Sequence, residues 1–121
     1  NDLSTPKEYI IDKGGEVFFA IKDHKVIATA AMVYIDDSTF ELAKMTVAKE
    51  FRGLGIANQL MDRCIDFAKG KNAKYIVLIT NSALVIARNL YDKYRFKEID
   101  LDSDKYGDRG NVKMTLNLAE E

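Results

Sequence analysis

The sequence predicts an α/β (α+β) domain with a mixed central sheet and helices on both faces of that sheet. Two observations predict this class. Apolar residues alternate with polar ones along several short segments, and a glycine-rich turn leads into a segment with an apolar residue at every fourth position. The 121 residues are 47% hydrophobic and 31% charged, which is typical of one folded domain. Residues 1–121 are therefore expected to form a single domain.

Charge and cysteine content argue against several classes of protein. The chain has 18 basic and 19 acidic residues, a net charge of -1, so we expect no broad basic surface for nucleic acid. Its single cysteine, Cys64, excludes an internal disulfide and a cysteine-based zinc site, and it fits a cytoplasmic location. No apolar segment reaches the roughly 18 residues of a membrane span, so no membrane contact is expected.

The first half of the chain is expected to contain a short helix and three antiparallel strands. The helix, Pro6 to Lys13, would begin with a proline in its first turn. The segments EVFFAIK and KVIATAAMVYI, with a turn at Asp23 and His24 between them, predict a β-hairpin. The third strand, TFELAKMTV, alternates so that Glu41 would share one face with three apolar residues: Ala43, Met45 and Val47.

The second half is predicted to be helix, strand, helix and a C-terminal strand pair. Ile56, Leu60, Cys64 and Ala68 recur at every fourth position, which indicates an amphipathic helix that ends at Gly70. The apolar segment KYIVLIT predicts a strand, and a second helix is expected at about Leu84 to Tyr94. FKEIDL and VKMTLNL are expected to form the last two strands. The third strand, the first of these helices and KYIVLIT would form a right-handed parallel β-α-β crossover.

The stretch FRGLGIANQLM places two glycines at the start of the predicted amphipathic helix. A helix N-terminus presents unpaired N–H groups and a partial positive charge, and glycines would let a phosphate approach them. A turn that only packs the helix against its strand remains an equal alternative. The G-x-x-x-x-G-K-[ST] pattern is absent, and the dinucleotide fingerprint fails at Asn58. A third pattern, Arg/Gln-x-x-Gly-x-Gly/Ala, is satisfied by Arg52, Gly55 and Ala57.

With this pattern the sequence resembles the GNAT superfamily of N-acetyltransferases, whose members use it to bind the diphosphate of acetyl-coenzyme A. ELAKMTVAKEFRGLGIANQLM is similar to the family's fourth strand, pyrophosphate loop and third helix. Further on, ARNLYDKYRF is similar to the block A-x-x-(Phe/Leu)-Tyr-x-x-x-Gly-Phe, with Ala87 and Tyr91 in place. The resemblance implies an acetyl-CoA-dependent N-acetyltransferase without a metal, or a CoA-binding or interaction module of the same fold. A nucleotide-binding domain is a weaker reading.

The resemblance also implies roles for individual residues. Glu41 would be the general base, acting directly or through water, and Tyr91 would protonate the departing thiolate. Without a catalytic role, Glu41 would be a carboxylate that faces solvent or pairs with a lysine, and Tyr91 would be a tyrosine packed on the core. Arg52 would contact the cofactor or be a solvated loop arginine. Asn81 would contact the cofactor or be a residue of the turn after its strand. The pantetheine and diphosphate would contact Met45, Thr46, Val47, Gly53, Leu54, Gly55, Ile56, Ala57 and Asn58.

Three further expectations concern the reaction. Cys64 lies on the apolar helix stripe, so direct transfer in a ternary complex is preferred over an acetyl-cysteine. Between Glu98 and Arg109 five acidic and two basic residues give a net charge of -3, which favours a cationic amine acceptor, although a solvated acidic loop is the commoner case. The family's first strand and first helix have no counterpart here, so an N-terminal segment or a second subunit, as in a homodimer, would complete the acceptor groove. The substrate would be a small-molecule or lysine amine.

Overall fold

The computed structural model describes residues 16–80, 85–100 and 112–119, and its core is a six-stranded mixed sheet with two α-helices. The strand order is β1-β2-β3-β4-β6-β5, and the β3–β4 pair is parallel while the other neighbouring pairs are antiparallel. The elements in chain order are β1 Glu16–Lys22, β2 Lys25–Asp36, β3 Thr39–Val47, a 3-10 helix Lys49–Phe51, α1 Ile56–Gly70, β4 Tyr75–Thr80, α2 Val85–Lys93, β5 Lys97–Ile99 and β6 Val112–Asn117.

This architecture confirms the predicted mixed α/β fold, including the antiparallel hairpin, the β-α-β crossover and the C-terminal strand pair. The predicted placement of helices on both faces of the sheet is not seen among the described residues. The predicted helix at 6–13 lies outside the described residues. Both described helices pack on the same face of the sheet, against a shared apolar cluster from β2, β3, β4 and β6. Among the described residues, no helix is long and apolar enough to cross a membrane.

The hairpin between β1 and β2 turns at the predicted residues. Asp23 and His24 both have positive φ, 52° and 67°, and Lys22 pairs with Lys25 across the turn. Two consecutive left-handed residues are the signature of a type I′ turn, whose twist matches that of the flanking strands. His24 is exposed in this turn, as expected.

The strand β3 departs from the predicted alternation, because it contains a β-bulge at Ala43. Lys44 pairs with Ala31 and Leu42 pairs with Met32, so Ala43 has no partner of its own on β2. The extra residue reverses which side chains face α1. Met45 and Val47 therefore pack on the helix side, and Glu41 lies on the opposite face from them. The prediction that Glu41 shares a face with Met45 and Val47 was wrong.

Both helices end in a Schellman motif with a left-handed residue that is not glycine. In α1, Ala73 N–H donates to the Ala68 carbonyl at 3.0 Å and Asn72 has φ 62°. The helix ends at Gly70 as predicted, although the left-handed conformation falls on Asn72. In α2 the left-handed residue is Arg95, with φ 72°, at the position where the resembling family has glycine.

Candidate functional site

The site lies where strands β3 and β4 diverge. Their parallel pairing joins Thr39, Phe40 and Glu41 to Tyr75, Ile76 and Val77, and the described residues show no further pairing between these two strands. Beyond that point β3 continues to pair with β2, and β4 continues to pair with β6. One edge of each strand therefore borders a wedge that opens towards the carboxyl ends of the strands. In sheets of this kind, ligands bind at the carboxyl ends of the parallel strands.

The glycine-rich turn lies at this end of the sheet and leads into α1. Gly53 and Gly55 have φ of 79° and 81°, a conformation that glycine adopts without strain. A Cβ added at either glycine would meet no protein atom within 4 Å, so both face open space. Leu54, between them, is 63% exposed. The turn therefore has a conformational need for glycine, and it leaves room for another molecule.

The N-terminus of α1 is not capped by a side chain. Gly55 is the N-cap residue, and the first turn contains no acidic residue. Gln59 N–H donates to the Gly55 carbonyl at 3.2 Å, so the helical ladder begins there. The preceding amides of Ile56, Ala57 and Asn58 point out of the helix start, as the first N–H groups of any helix do. These three donors and the helix dipole fit a diphosphate.

The Arg52 side chain contacts the end of β3, one of the two strands that border the wedge. The Arg52 Nε donates a hydrogen bond of 3.1 Å to the Val47 carbonyl, while the residue itself is exposed. This bond holds the guanidinium between the end of β3 and the glycine turn. Met45 and Val47 are half-buried against the core, and the Thr46 hydroxyl lies 2.9 Å from the Thr29 hydroxyl. The backbone of Met45, Thr46 and Val47 thus forms a fixed edge of the wedge.

Glu41 lies at the apex of the wedge. It occupies the last position of the parallel ladder, opposite Val77, and Val33 is its neighbour on β2. Glu41 is only 8% exposed, which is rare for a carboxylate. The alternative of a solvated surface glutamate is therefore wrong. Glu41 is thus a buried carboxylate beside the opening of the wedge.

Tyr91 and Tyr94 occupy different environments in the region of α2. Tyr91 is half-buried, packs its ring 5.8 Å from that of Phe96, and burial raises the pKa of its phenol above the usual 10. The Tyr94 hydroxyl lies 2.8 Å from Asp62 Oδ1 and 3.0 Å from the Asn58 carbonyl oxygen. Burial and the Asp62 hydrogen bond raise the pKa of Tyr94 to about 12. Tyr94 therefore ties α2 to α1.

The remaining candidates fall outside the site or outside the described residues. Cys64 is fully buried, and burial raises the pKa of its thiol to about 12, so the thiolate that a nucleophile requires is disfavoured. Asn81 and residues 101–111 of the acidic loop lie outside the described residues. Within the described part of the chain, no three His, Cys, Asp or Glu side chains group as a metal site.

Sequence reasoning missed a polar contact at the first turn of α1. Lys93 Nζ lies 3.2 Å from the Asn58 side-chain oxygen, across the boundary between α2 and α1. The two residues are 35 positions apart, so no local pattern links them. The bulge at Ala43, in contrast, had a signal, because the apolar positions of β3 change from even (Phe40, Leu42) to odd (Met45, Val47).

Comparison with known proteins identifies close relatives. The sequence profile described as the acetyltransferase (GNAT) family matches residues 2–96. N-acetylaspartate synthetase of Rattus norvegicus is 36% identical over 121 residues, which cover 98% of this chain and 39% of the relative. The chain thus spans about two fifths of the curated relative.

Solved structures of GNAT-family acetyltransferases are also similar to this chain. A GNAT-family acetyltransferase from Staphylococcus aureus is 30% identical with a TM-score of 0.82, and the match covers 97% of this chain and 76% of that one. A GNAT-family acetyltransferase from Elizabethkingia anophelis, solved with acetyl-CoA bound, is 26% identical with a TM-score of 0.73. The match covers 93% of this chain and 84% of that one.

Proposed function

The chain belongs to the acetyltransferase (GNAT) family, and we propose that it transfers the acetyl group of acetyl-CoA directly to an amine in a ternary complex. The observation that carries the proposal is the uncapped α1 N-terminus behind two left-handed glycines that face open space. This arrangement fits a diphosphate. The similar Elizabethkingia anophelis protein was solved with acetyl-CoA bound, which supports the same cosubstrate here.

In this proposal the diphosphate is held by backbone groups from Gly53 to Asn58, with Arg52 beside them. The pantetheine arm lies along the free edge of β3 at Met45, Thr46 and Val47, as an added strand would. Asn81, next to the end of β4 in sequence, contributes a polar contact. Acetyl-CoA, when bound, supplies the acetyl group as an activated thioester. The protein residues position the acetyl group, accept the proton of the amine and donate a hydrogen bond to the thiolate.

Glu41 is proposed to take the proton of the amine acceptor. An alkyl amine with a pKa near 10.4 is almost fully protonated at pH 7, and deprotonating it costs about 4 to 5 kcal/mol. A carboxylate at the apex of the wedge can accept that proton directly or through water. Tyr91 is proposed to donate to the departing thiolate. Because burial raises the pKa of Tyr91, the phenol remains protonated at neutral pH, and hydrogen bonding to the thiolate contributes more than full proton transfer.

The identity of the acceptor has two opposing indications. The acidic loop between Glu98 and Arg109 favours a cationic amine such as a polyamine, an amino sugar or a lysine side chain. The structure weakens this argument, because Glu98 already pairs with Arg88 at 3.2 Å. The name of the rat relative points instead to aspartate as the acceptor of that protein. Initial rates with spermidine, an amino sugar, a lysine peptide and aspartate compare the two classes, and a preference for aspartate would reject the cationic acceptor.

The test of the activity is steady-state acetyl transfer with both substrates varied. Intersecting double-reciprocal lines are expected for a ternary complex, whereas parallel lines would indicate an acyl-enzyme. Glu41→Gln, which removes the proposed base, should lower kcat about 100-fold or more. Tyr91→Phe, which removes the proposed acid, should lower kcat less. Both variants should leave the affinity for acetyl-CoA nearly unchanged. Glu50→Gln and Tyr75→Phe are matched controls at exposed positions. Selective acetyl-CoA binding without transfer to any amine would favour the non-catalytic module.

A further inference from the structure

The end of α2 contacts the first turn of α1 through two adjacent residues. Lys93 Nζ lies 3.2 Å from Asn58 Oδ1, and the Tyr94 hydroxyl lies 3.0 Å from the Asn58 carbonyl oxygen. The Tyr94 hydroxyl also lies 2.8 Å from the Asp62 carboxylate. Asn58 is therefore held at its side chain and at its backbone by one neighbouring segment.

These contacts place Lys93 near the start of α1. Asn58 is the third residue of α1, and side chains on a helix lean towards its N-terminus. The Asn58 side chain accordingly leans towards the helix start, and the Lys93 ammonium lies beside the first turn of α1, 3.2 Å from Asn58 Oδ1. Its described partner is a neutral amide oxygen, which does not cancel the ammonium charge. The first turn of α1 contributes no carboxylate either.

We infer that Lys93 is a further cofactor-binding residue, which contacts the diphosphate of acetyl-CoA at the α1 N-terminus. This inference rests on the proposed function. The diphosphate carries charge that the backbone amides and the helix dipole balance only in part, and an ammonium beside them adds a charge-assisted hydrogen bond. Tyr94 is a positioning residue: it fixes the backbone of Asn58, one of the residues whose amide faces the diphosphate.

The experiment is calorimetric titration of Lys93→Met and the wild type with three probes. Acetyl-CoA and dephospho-CoA both contain the diphosphate, whereas S-acetylpantetheine lacks it. Lys93→Met should weaken the first two about tenfold and leave the third unchanged, since a hydrogen bond to a charged group is lost only where the diphosphate is present. The salt dependence of acetyl-CoA binding should also become shallower. Lys74→Met, at an exposed position on the turn before β4, is the matched control.

Three outcomes would overturn the inference. Equal affinity of Lys93→Met and Lys74→Met for acetyl-CoA would show that Lys93 makes no cofactor contact. If Lys93→Met also binds S-acetylpantetheine more weakly, Lys93 only holds the two helices together. If Lys93→Met binds dephospho-CoA as tightly as the wild type does, Lys93 contacts the 3′-phosphate and not the diphosphate. Lys93→Arg should retain most of the affinity if the charge is what matters. A wild-type protein that binds none of the probes would reject the proposed function itself, which is a distinguishable failure.

Discussion

The ring of Tyr91 packs against the ring of Phe96, with centroids 5.8 Å apart, across the end of α2. The same pair closes the helix through the backbone, because Phe96 N–H donates to the Tyr91 carbonyl at 3.0 Å. An apolar contact between these two positions commonly accompanies a Schellman motif. The orientation of the proposed acid therefore depends on how the helix ends, and the helix ends through a left-handed Arg95.

Arg95→Gly should stabilise the protein. A left-handed conformation costs an L-residue about 1 to 2 kcal/mol, and glycine avoids that cost while losing about 0.5 to 1 kcal/mol of chain entropy. A net gain of about 0.5 kcal/mol in the free energy of unfolding is expected from urea denaturation. Gln59→Gly, at an exposed position of α1 with ordinary helical geometry, should destabilise instead. A loss of stability in Arg95→Gly would show that the Arg95 side chain makes a contact of greater value.

Gly55→Ala should separate conformation from ligand binding. The left-handed φ of 81° makes alanine cost about 1 kcal/mol of stability, although no protein atom clashes with the new methyl. We expect acetyl-CoA affinity to fall more than stability does, because the methyl group enters the space proposed for the diphosphate. Gly70→Ala is the control: its φ is outside the left-handed region, so stability should rise slightly and affinity should stay constant. Undiminished acetyl-CoA affinity in Gly55→Ala would contradict the assignment of the turn.

Cys64→Ala should retain acetyl transfer. The thiol is fully buried and its pKa is raised to about 12, so it is neither accessible nor ionised at neutral pH. A thiol reagent should modify it slowly in the native protein and rapidly in urea. The variant is expected to lose about 1 kcal/mol of stability because packing is lost. An acetylated Cys64 trapped in the wild type, or an inactive but folded Cys64→Ala, would refute direct transfer.

Tyr94→Phe should change how stability depends on pH. The pKa of the phenol is raised from 10 in the unfolded chain to about 12 in the folded protein, so the folded state holds this proton more tightly. The stabilisation is complete below pH 10 and is lost as the pH rises through 12. The wild type should exceed Tyr94→Phe in stability at pH 8, and this difference should shrink between pH 10 and 12. Tyr75→Phe is the control for an exposed tyrosine, and a constant difference across the range would contradict the Tyr94–Asp62 contact.

The sequence predicted those features that local chemistry determines. The turn at Asp23 and His24 was predicted from the two strand-like segments on either side of it. The period of Ile56, Leu60, Cys64 and Ala68 requires only one helix with a buried side. The bounds of the hairpin and of α1 followed from such patterns. Arg52, Gly55 and Ala57 identified the glycine turn by their spacing, and the structure shows the two left-handed glycines that this turn needs.

Features that depend on a partner were not predictable in this way. The change from even to odd apolar positions in β3 is a signal of the bulge, but its place at Ala43 follows only from the pairing with β2, and strict alternation put Glu41 on the wrong face. The Lys93–Asn58 and Tyr94–Asp62 contacts join helices that are distant in sequence, so they follow from packing alone. The same holds for the burial of Glu41, which strand alternation alone does not specify.

The most direct test of the account is a calorimetric titration of the protein with acetyl-CoA, using NADH and ATP as controls. The proposed diphosphate site predicts a single site of about micromolar affinity for acetyl-CoA and much weaker binding of both controls, because only the pantetheine arm can pair with the edge of β3. Absence of acetyl-CoA binding, or equal binding of all three molecules, would contradict the central claim that the glycine turn and the wedge together form a CoA site.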